Sequence, residues 1–138
     1  TPRVLVAFAG DIAAGDPPTG RRGWTIDVDR PKGQRERIEL ANASISTSGD
    51  REQFLEREGV RYSHILDPRT GLGATTQRQV TVVGPDGAVV DALSSALSIA
   101  DDQTLRTLLE RFGRSYRVIA SEGAVRERVD GAPLSASP

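Results

Sequence analysis

Apolar positions along the chain change period twice, and each change marks a change of element. Val4-Leu5-Val6-Ala7-Phe8-Ala9 is a short run of apolar and β-branched residues, the mark of a buried strand, and Gly10-Asp11 breaks it. Ile12-Ala13-Ala14 continues it after the break. Gly15 to Gly23 carries an Asp, two Pro and two Arg and reads as a surface loop. Trp24 to Val28 alternates as a half-buried strand does. Pro31-Lys32-Gly33 turns the chain into a further short strand, Ile38-Glu39-Leu40. From Ala43 to Asp50 small hydroxyl residues alternate and end in Gly49-Asp50, so a strand runs into a tight turn. Residues 51–57 and 60–66 flank Glu58-Gly59 as the arms of a hairpin. Helix is the competing reading for 51–58, where Glu, Gln and Leu favour it; the Glu58-Gly59 signal tips the choice to the hairpin.

Gln79-Val80-Thr81-Val82-Val83 is the strongest strand in the sequence, and Gly84-Pro85-Asp86-Gly87 is a turn. From about Ala88 the spacing becomes helical, with Leu93, Ala96, Leu97 and Ala100 on one face. Asp101-Asp102 caps a second helix over Gln103 to Phe112, where Leu105, Leu108, Leu109 and Phe112 form an apolar stripe and Gly113 ends it. Tyr116 to Ala120 and Ala124 to Val129 make a closing strand pair. Strands, two consecutive helices, then strands predict an α+β fold with a mostly antiparallel sheet. Residues 1–131 are expected to form one domain, with 132–138 a frayed tail.

At 138 residues the chain suits a single domain with a modest core. A formal net charge of -1, with Arg interleaved among Asp and Glu, gives no ground for electrostatic capture of nucleic acid. No apolar run is long enough to cross a bilayer. Without cysteine there are no disulfides, thiolate metal sites or Cys nucleophile. The chain also lacks methionine and opens at Thr1-Pro2-Arg3 directly before an apolar strand, so processing, or origin as part of something longer, is expected. No signal peptide or lipid-attachment segment is recognisable in residues 1–138, and removal of one by processing is the alternative to its never having been there.

Four segments carry polar groups able to do chemistry: Gly10-Asp11; Ser46-Thr47-Ser48-Gly49-Asp50; His64 with Asp67, Thr70 and Gly71; and Asp91 with Ser95. His64 is the only histidine, delivered by Ile65-Leu66 and a Pro/Gly loop to the edge of a turn. An imidazole there suits acid–base chemistry, though a structural hydrogen-bonding role is the commoner use. Residues four apart share a helix face, so Asp91 and Ser95 project together from the first turn as an oxygen pair suited to a hard cation such as Mg2+. The alternative is that Asp91 only caps the helix while Ser95 faces solvent. Ser48-Gly49 and Thr70-Gly71 offer hydroxyl and backbone N–H donors to phosphate, as many ordinary turns do.

Taken in order, Ala43-x-Ser-x-Ser/Thr-Ser-Gly-Asp, Tyr62-Ser-His-Ile-Leu-Asp-Pro-Arg-Thr-Gly71, Val80-Thr-Val and Asp91-Ala-Leu-Ser-Ser-Ala-Leu97 closely resemble the FAD:protein FMN transferase (ApbE-type) family. Gly10-Asp11 after an apolar strand is similar to that family's Gly-Gly-Asp segment, with Ala9 at a usual glycine. The resemblance spans about residues 4–120 and implies a T-fold-like α+β architecture. It implies Mg2+-dependent transfer of FMN from FAD to a Thr or Ser of an acceptor protein, with release of AMP; some members instead hydrolyse FAD. By match, His64 is the expected catalytic base, and Asp91 and Ser95 the expected metal-site residues, Ser95 standing where Thr is more frequent. Gly10, Asp11, Ser48, Gly49, Asp50, Asp67, Thr70 and Gly71 would line the flavin and pyrophosphate pocket. Family members are about twice as long and commonly exported and membrane-anchored. Their front half carries an Asp-x-Gly-Gly-x-Ala-Lys-Gly-like segment that residues 1–138 do not contain. The expectation is therefore a transferase, with a FAD-binding or FAD-hydrolysing module, or an inactive portion, as the alternative. A homodimer or a missing front half would complete the site.

Overall fold

The computed structural model describes residues 2–30, 34–50, 53–112, 116–122 and 126–130. Its elements in chain order are β1 (Leu5–Phe8), β2 (Asp11–Ala14), β3 (Trp24–Asp29), β4 (Arg35–Leu40), β5 (Ala43–Ser48), β6 (Phe54–Arg57), β7 (Val60–Ser63), β8 (Arg78–Gly84), α1 (Gly87–Ile99), α2 (Asp102–Phe112), β9 (Arg117–Glu122) and β10 (Arg126–Asp130). Six strands form one antiparallel sheet in the order β1-β2-β5-β8-β9-β10, and β3-β4 and β6-β7 are separate two-stranded ribbons. This is the α+β arrangement with two consecutive helices that the patterning predicts.

Strand alternation places one set of side chains under the helices. Val80, Val82, Val118 and Ala120 pack there against Val90, Leu93, Leu97 and Leu105. The opposite set, Ala14, Ile45, Val83 and Ile119, packs against Val28, Ile38 and Leu40 of the β3-β4 ribbon. β8 is thus covered on both faces, which explains its β-branched run Val80-Thr81-Val82-Val83. Burying each such Val, Leu or Ile side chain contributes about 1.5–3 kcal/mol, so these two layers anchor everything attached to β5 and β8.

Turn chemistry fixes the hairpins. The β1-β2 reversal runs through Ala9 and Gly10 at φ 47° and 98°, and β6-β7 turns through Glu58 and Gly59 at φ 53° and 76°.

 Both central positions of each turn lie at positive φ, the two-residue turn that matches the twist of antiparallel strands. This settles 51–58 in favour of the hairpin over its described part. Helix α1 is capped by Asp86, whose Oδ1 accepts from Val89 N at 3.0 Å, and α2 by Asp101, whose Oδ1 accepts from Thr104 N at 2.7 Å. At the other end of α1 no basic residue sits in the last turn. Arg78 of β8 takes that role: its buried guanidinium donates to the carbonyls of Leu97 (3.4 Å) and Ala100 (2.6 Å).

Three expectations need correction. Strand β1 is not buried: Val6 is 57% and Phe8 79% exposed, because β1 is an edge strand and the helices cover the sheet's middle. On α1 the buried face is Val90, Leu93, Ser94, Leu97 and Ser98, while Ala96 faces out. Because α1 begins at Gly87, Asp91 lies beyond the first turn and does not cap it. The Pro31-Lys32-Gly33 turn, the Gly113 stop and the 132–138 tail lie outside the described residues. Among the described residues no helix is long and apolar enough to cross a membrane.

Candidate functional site

A cavity of about 930 Å³ opens where β5 ends, bounded by the β1-β2 turn, the β3-β4 ribbon, the segment after β7 and one face of α1. Gly10, Asp11, Ser48, Gly49, His64, Asp91 and Ser95 all line it. Strand pairing explains the convergence. Asp11 is the first residue of β2 and stands opposite Ser46, so β5 runs on past β2 and leaves Thr47 and Ser48 beside the Ala9-Gly10 turn. Gly49 continues the wall because a Cβ there would come within 2.9 Å of the Gln79 Cα and 3.0 Å of the Arg78 carbonyl oxygen. Only glycine lets the backbone pass β8 so closely.

His64 follows β7 directly and is exposed. Its backbone N–H donates to the Gln53 carbonyl at 3.3 Å, and its ring Nδ1 lies 3.1 Å from the same oxygen. A carbonyl only accepts, so this contact assigns the proton to Nδ1 and leaves the Nε2 lone pair as the base of the neutral ring. The hairpin that carries His64 is tied back by Arg61. Its guanidinium donates from Nη2 to the Asp50 carbonyl, stands 2.8 Å from Asp50 Oδ2 in an ion pair without hydrogen-bond alignment, and stacks 3.5 Å from the Phe54 ring centroid.

The opposite wall is α1. Asp91 is exposed there, and its carboxylate has no hydrogen-bond or ion-pair partner among the described residues. Ser95, one turn on, is half-buried and lies 3.0 Å from Ser48 Oγ. A free carboxylate and a hydroxyl on one helix face, both open to the cavity, are a hard-oxygen pair that fits Mg2+, which keeps much of its shell for water and phosphate. No group of three His, Cys, Asp or Glu that could hold a metal occurs among the described residues.

Four expected pocket residues lie elsewhere. Asp50 is 6% exposed and faces Arg61 rather than the cavity. Asp67 accepts from Arg69 N at 2.9 Å and from Arg69 Nη2 at 2.7 Å, while Arg69 Nη1 reaches Asp101 at 3.2 Å. Thr70 and Gly71 close a turn on the Asp67 carbonyl at 3.1 and 2.8 Å. These three brace the loop after His64 against the helix layer. Hydrogen bonds from the Arg69 side chain and then its backbone N–H hold the Asp67 carboxyl below the usual carboxylate range.

Residue patterning does not reveal the wall formed by Ile26, Asp27, Val28, Asp29 and Arg35. Its alternating charges pair across the ribbon, Arg37 Nε to Asp27 at 3.0 Å and Arg35 Nε to Asp29 at 3.2 Å, a pattern also typical of plain solvated strands. The Arg37 hydrogen bond holds Asp27 below its ordinary range.

The ApbE family model matches residues 1–119. A FAD:protein FMN transferase of Treponema pallidum is 34% identical over 97 residues, which is 67% of this chain and 27% of that protein. Another, from Rhodobacter capsulatus, is 31% identical over 126 residues, 88% of this chain and 24% of that protein. Among solved structures, the ApbE protein of Thermotoga maritima superposes with a TM-score of 0.78 at 29% identity, covering 92% of this chain and 42% of its own. The apo flavinyl transferase ApbE of Pseudomonas stutzeri gives 0.73 at 31%, covering 91% of this chain and 40% of its own. The chain thus spans about a quarter of the length of these two curated relatives.

Proposed function

The chain belongs to the ApbE family, and from that premise we propose that it takes part in transferring the FMN portion of FAD to a Thr or Ser hydroxyl of an acceptor protein, with Mg2+ and release of AMP. The observation that carries this reading is that His64, Asp91, Ser95 and Asp11 line one cavity although they come from three separate segments. In the proposed reaction the acceptor oxygen attacks the phosphorus on the FMN side of the pyrophosphate. An O–P ester bond forms, the bond to the bridging oxygen breaks, and AMP leaves with that oxygen. His64 Nε2 takes the hydroxyl proton, the role its Nδ1 contact with Gln53 prepares. Asp91 and Ser95 would hold the cation, which when bound neutralises charge on the bridging and leaving oxygens. The backbone at Gly10 and Gly49 lets the nucleotide approach the cavity wall closely.

Incubation with FAD, Mg2+ and a Thr-containing acceptor peptide tests the proposal: covalently flavinylated peptide and free AMP are expected together, and folded His64→Ala should form both far more slowly. A second reading, FAD binding or hydrolysis without transfer, is favoured by the chain's share of its relatives' length, 27% and 24%. Free FMN and AMP with unmodified peptide would select hydrolysis. Bound FAD without AMP would select binding alone, and no FAD binding would overturn both readings.

A further inference from the structure

Between α1 and β5 the number of available protons determines which way each serine hydroxyl points. Ser94 Oγ lies 2.9 Å from the Asp91 carbonyl, 3.0 Å from Ser46 Oγ and 2.8 Å from Ser48 Oγ. Ser48 Oγ in turn lies 3.0 Å from Ser95 Oγ. Each hydroxyl has one proton to donate and two lone pairs that accept. The Asp91 carbonyl can only accept, so the Ser94 proton goes to it. Ser94 then has only lone pairs left, and both Ser46 and Ser48 must donate to it. With the Ser48 proton engaged, the remaining contact is made only if Ser95 donates to Ser48. Ser95 Oγ therefore turns its lone pairs, and no proton, toward the cavity. Ser94 is 0% and Ser46 1% exposed, so water cannot substitute at the inner end of this chain.

We propose that this hydroxyl chain makes Ser95 an obligatory acceptor toward the cavity, with Ser94 and Ser48 as positioning residues, so that the point beside Asp91 takes a divalent cation and rejects a phosphate oxygen. The inference rests on the reading of Asp91 and Ser95 as the metal pair. It adds that the polarity of the ligand is set from inside the core. Removing Ser94 releases the Ser48 proton, which can then turn to Ser95 and send the Ser95 proton into the cavity, where it repels a cation.

Mn2+ titrated against the folded chain, with free Mn2+ read by electron paramagnetic resonance, tests this without any turnover. Asp91→Ala should abolish the site. Ser94→Ala should weaken Mn2+ binding about tenfold, the scale of one misdirected hydrogen bond to a charge. Ser48→Ala, which removes the acceptor of the Ser95 proton at a half-buried position, should weaken it similarly and carries the test if Ser94→Ala does not fold. Ser98→Ala is the matched control: its Oγ donates to the Ser95 carbonyl at 2.8 Å from an equally buried position but belongs to no strand-to-helix hydroxyl chain. It should bind Mn2+ as the unmodified chain does. Loss of binding in Asp91→Ala but in neither serine variant overturns the hydroxyl chain and leaves the metal pair standing. Equal losses in Ser98→Ala and Ser94→Ala also overturn it, since loosening of α1 would then suffice. Mn2+ binding that ignores Asp91→Ala overturns both.

Discussion

The two walls that face each other across the cavity are built by different means. The wall carrying Asp91 and Ser95 is a helix packed by Val90, Leu93 and Leu97 onto the fully covered strand β8, and joined to β5 through buried serines. The wall carrying His64 follows the β6-β7 ribbon, which joins no larger sheet among the described residues and whose residues 53–60 are all exposed. It is held by Arg61 on Asp50 and by Arg69 between Asp67 and Asp101. For the proposed reaction, the contrast would leave the placing of a cation to the core and the base to a peripheral arm. A cation ligand must keep its geometry, whereas a base on such an arm can meet an acceptor protein that arrives from solvent.

The largest expected effect comes from removing the base while leaving both walls in place. His64→Ala should slow flavin transfer by about 10²–10⁴-fold, the usual contribution of a positioned general base, with an unchanged melting curve because the side chain is exposed. A transfer rate within a few-fold of the unmodified chain would remove the His64 wall from the chemistry. Next comes the helix wall. Leu97 is 1% exposed at the centre of its cluster, so Leu97→Ala should cost about 2–5 kcal/mol in urea unfolding. A loss well below that range would mean that α1 is not core-anchored and that the contrast between the walls fails.

What the sequence showed and what it hid follow the same division. The β-branched run of β8, the helical stripe of α1 and the Glu58-Gly59 turn were legible because burial and turn geometry act within a few residues of chain. The exposure of β1 was not: Val4 to Phe8 has a buried strand's composition, and only the sheet order places it at an edge. At the site, His64, Asp91 and Ser95 could be picked out by residue type and by resemblance. Asp50 and Asp67 stood in the same motifs, but each is engaged by an arginine, Arg61 or Arg69, and points away. Pairing between segments cannot be read from spacing. The β3-β4 wall was hidden for a related reason, because Asp27-Arg37 and Asp29-Arg35 look like the solvated ribbon they also are.

A smaller and more local effect should sharpen the comparison from the hairpin side. Arg61→Ala leaves Asp50, 6% exposed, without its cation, and frees the segment that presents the Gln53 carbonyl to His64. The expected stability loss is about 1–3 kcal/mol, that of a buried polar group deprived of its partner. The sharper readout is the ring itself. The chain has one histidine, so its 15N spectrum reports a single tautomer equilibrium. The unmodified ring should be protonated at Nδ1 and the Arg61→Ala ring should shift toward protonation at Nε2. An unchanged spectrum would show that Arg61 does not hold the His64 wall.

The smallest expected effect is that of acid, and its sign can be derived. Asp67 is held below its ordinary 3.8 by hydrogen bonds from Arg69, and Asp101 below 3.8 by hydrogen bonds from Thr104 and then by the charge of Arg69. Glu36 is pushed up by burial, but hydrogen bonds from Arg117 and Arg30 outweigh this and leave it below 4.5. Each carboxyl binds fewer protons folded than unfolded between its folded value and its ordinary one. Stability therefore rises with pH through that window. The contribution is complete above about 4.5 for Glu36 and 3.8 for the aspartates, and is lost as pH falls through the lower folded values. Melting temperature should thus decline below about pH 4.5, and less steeply in Arg69→Ala, which loses the Asp67 contribution and the smaller Arg69 share of the Asp101 one, while the Thr104 hydrogen bonds to Asp101 remain. The loss should also be local: hydrogen exchange at low pH should quicken first in residues 64–73, which Arg69 braces, while α1 stays protected. Simultaneous exchange in both segments would mean that the two walls open as one unit, and the division of labour between them would not stand.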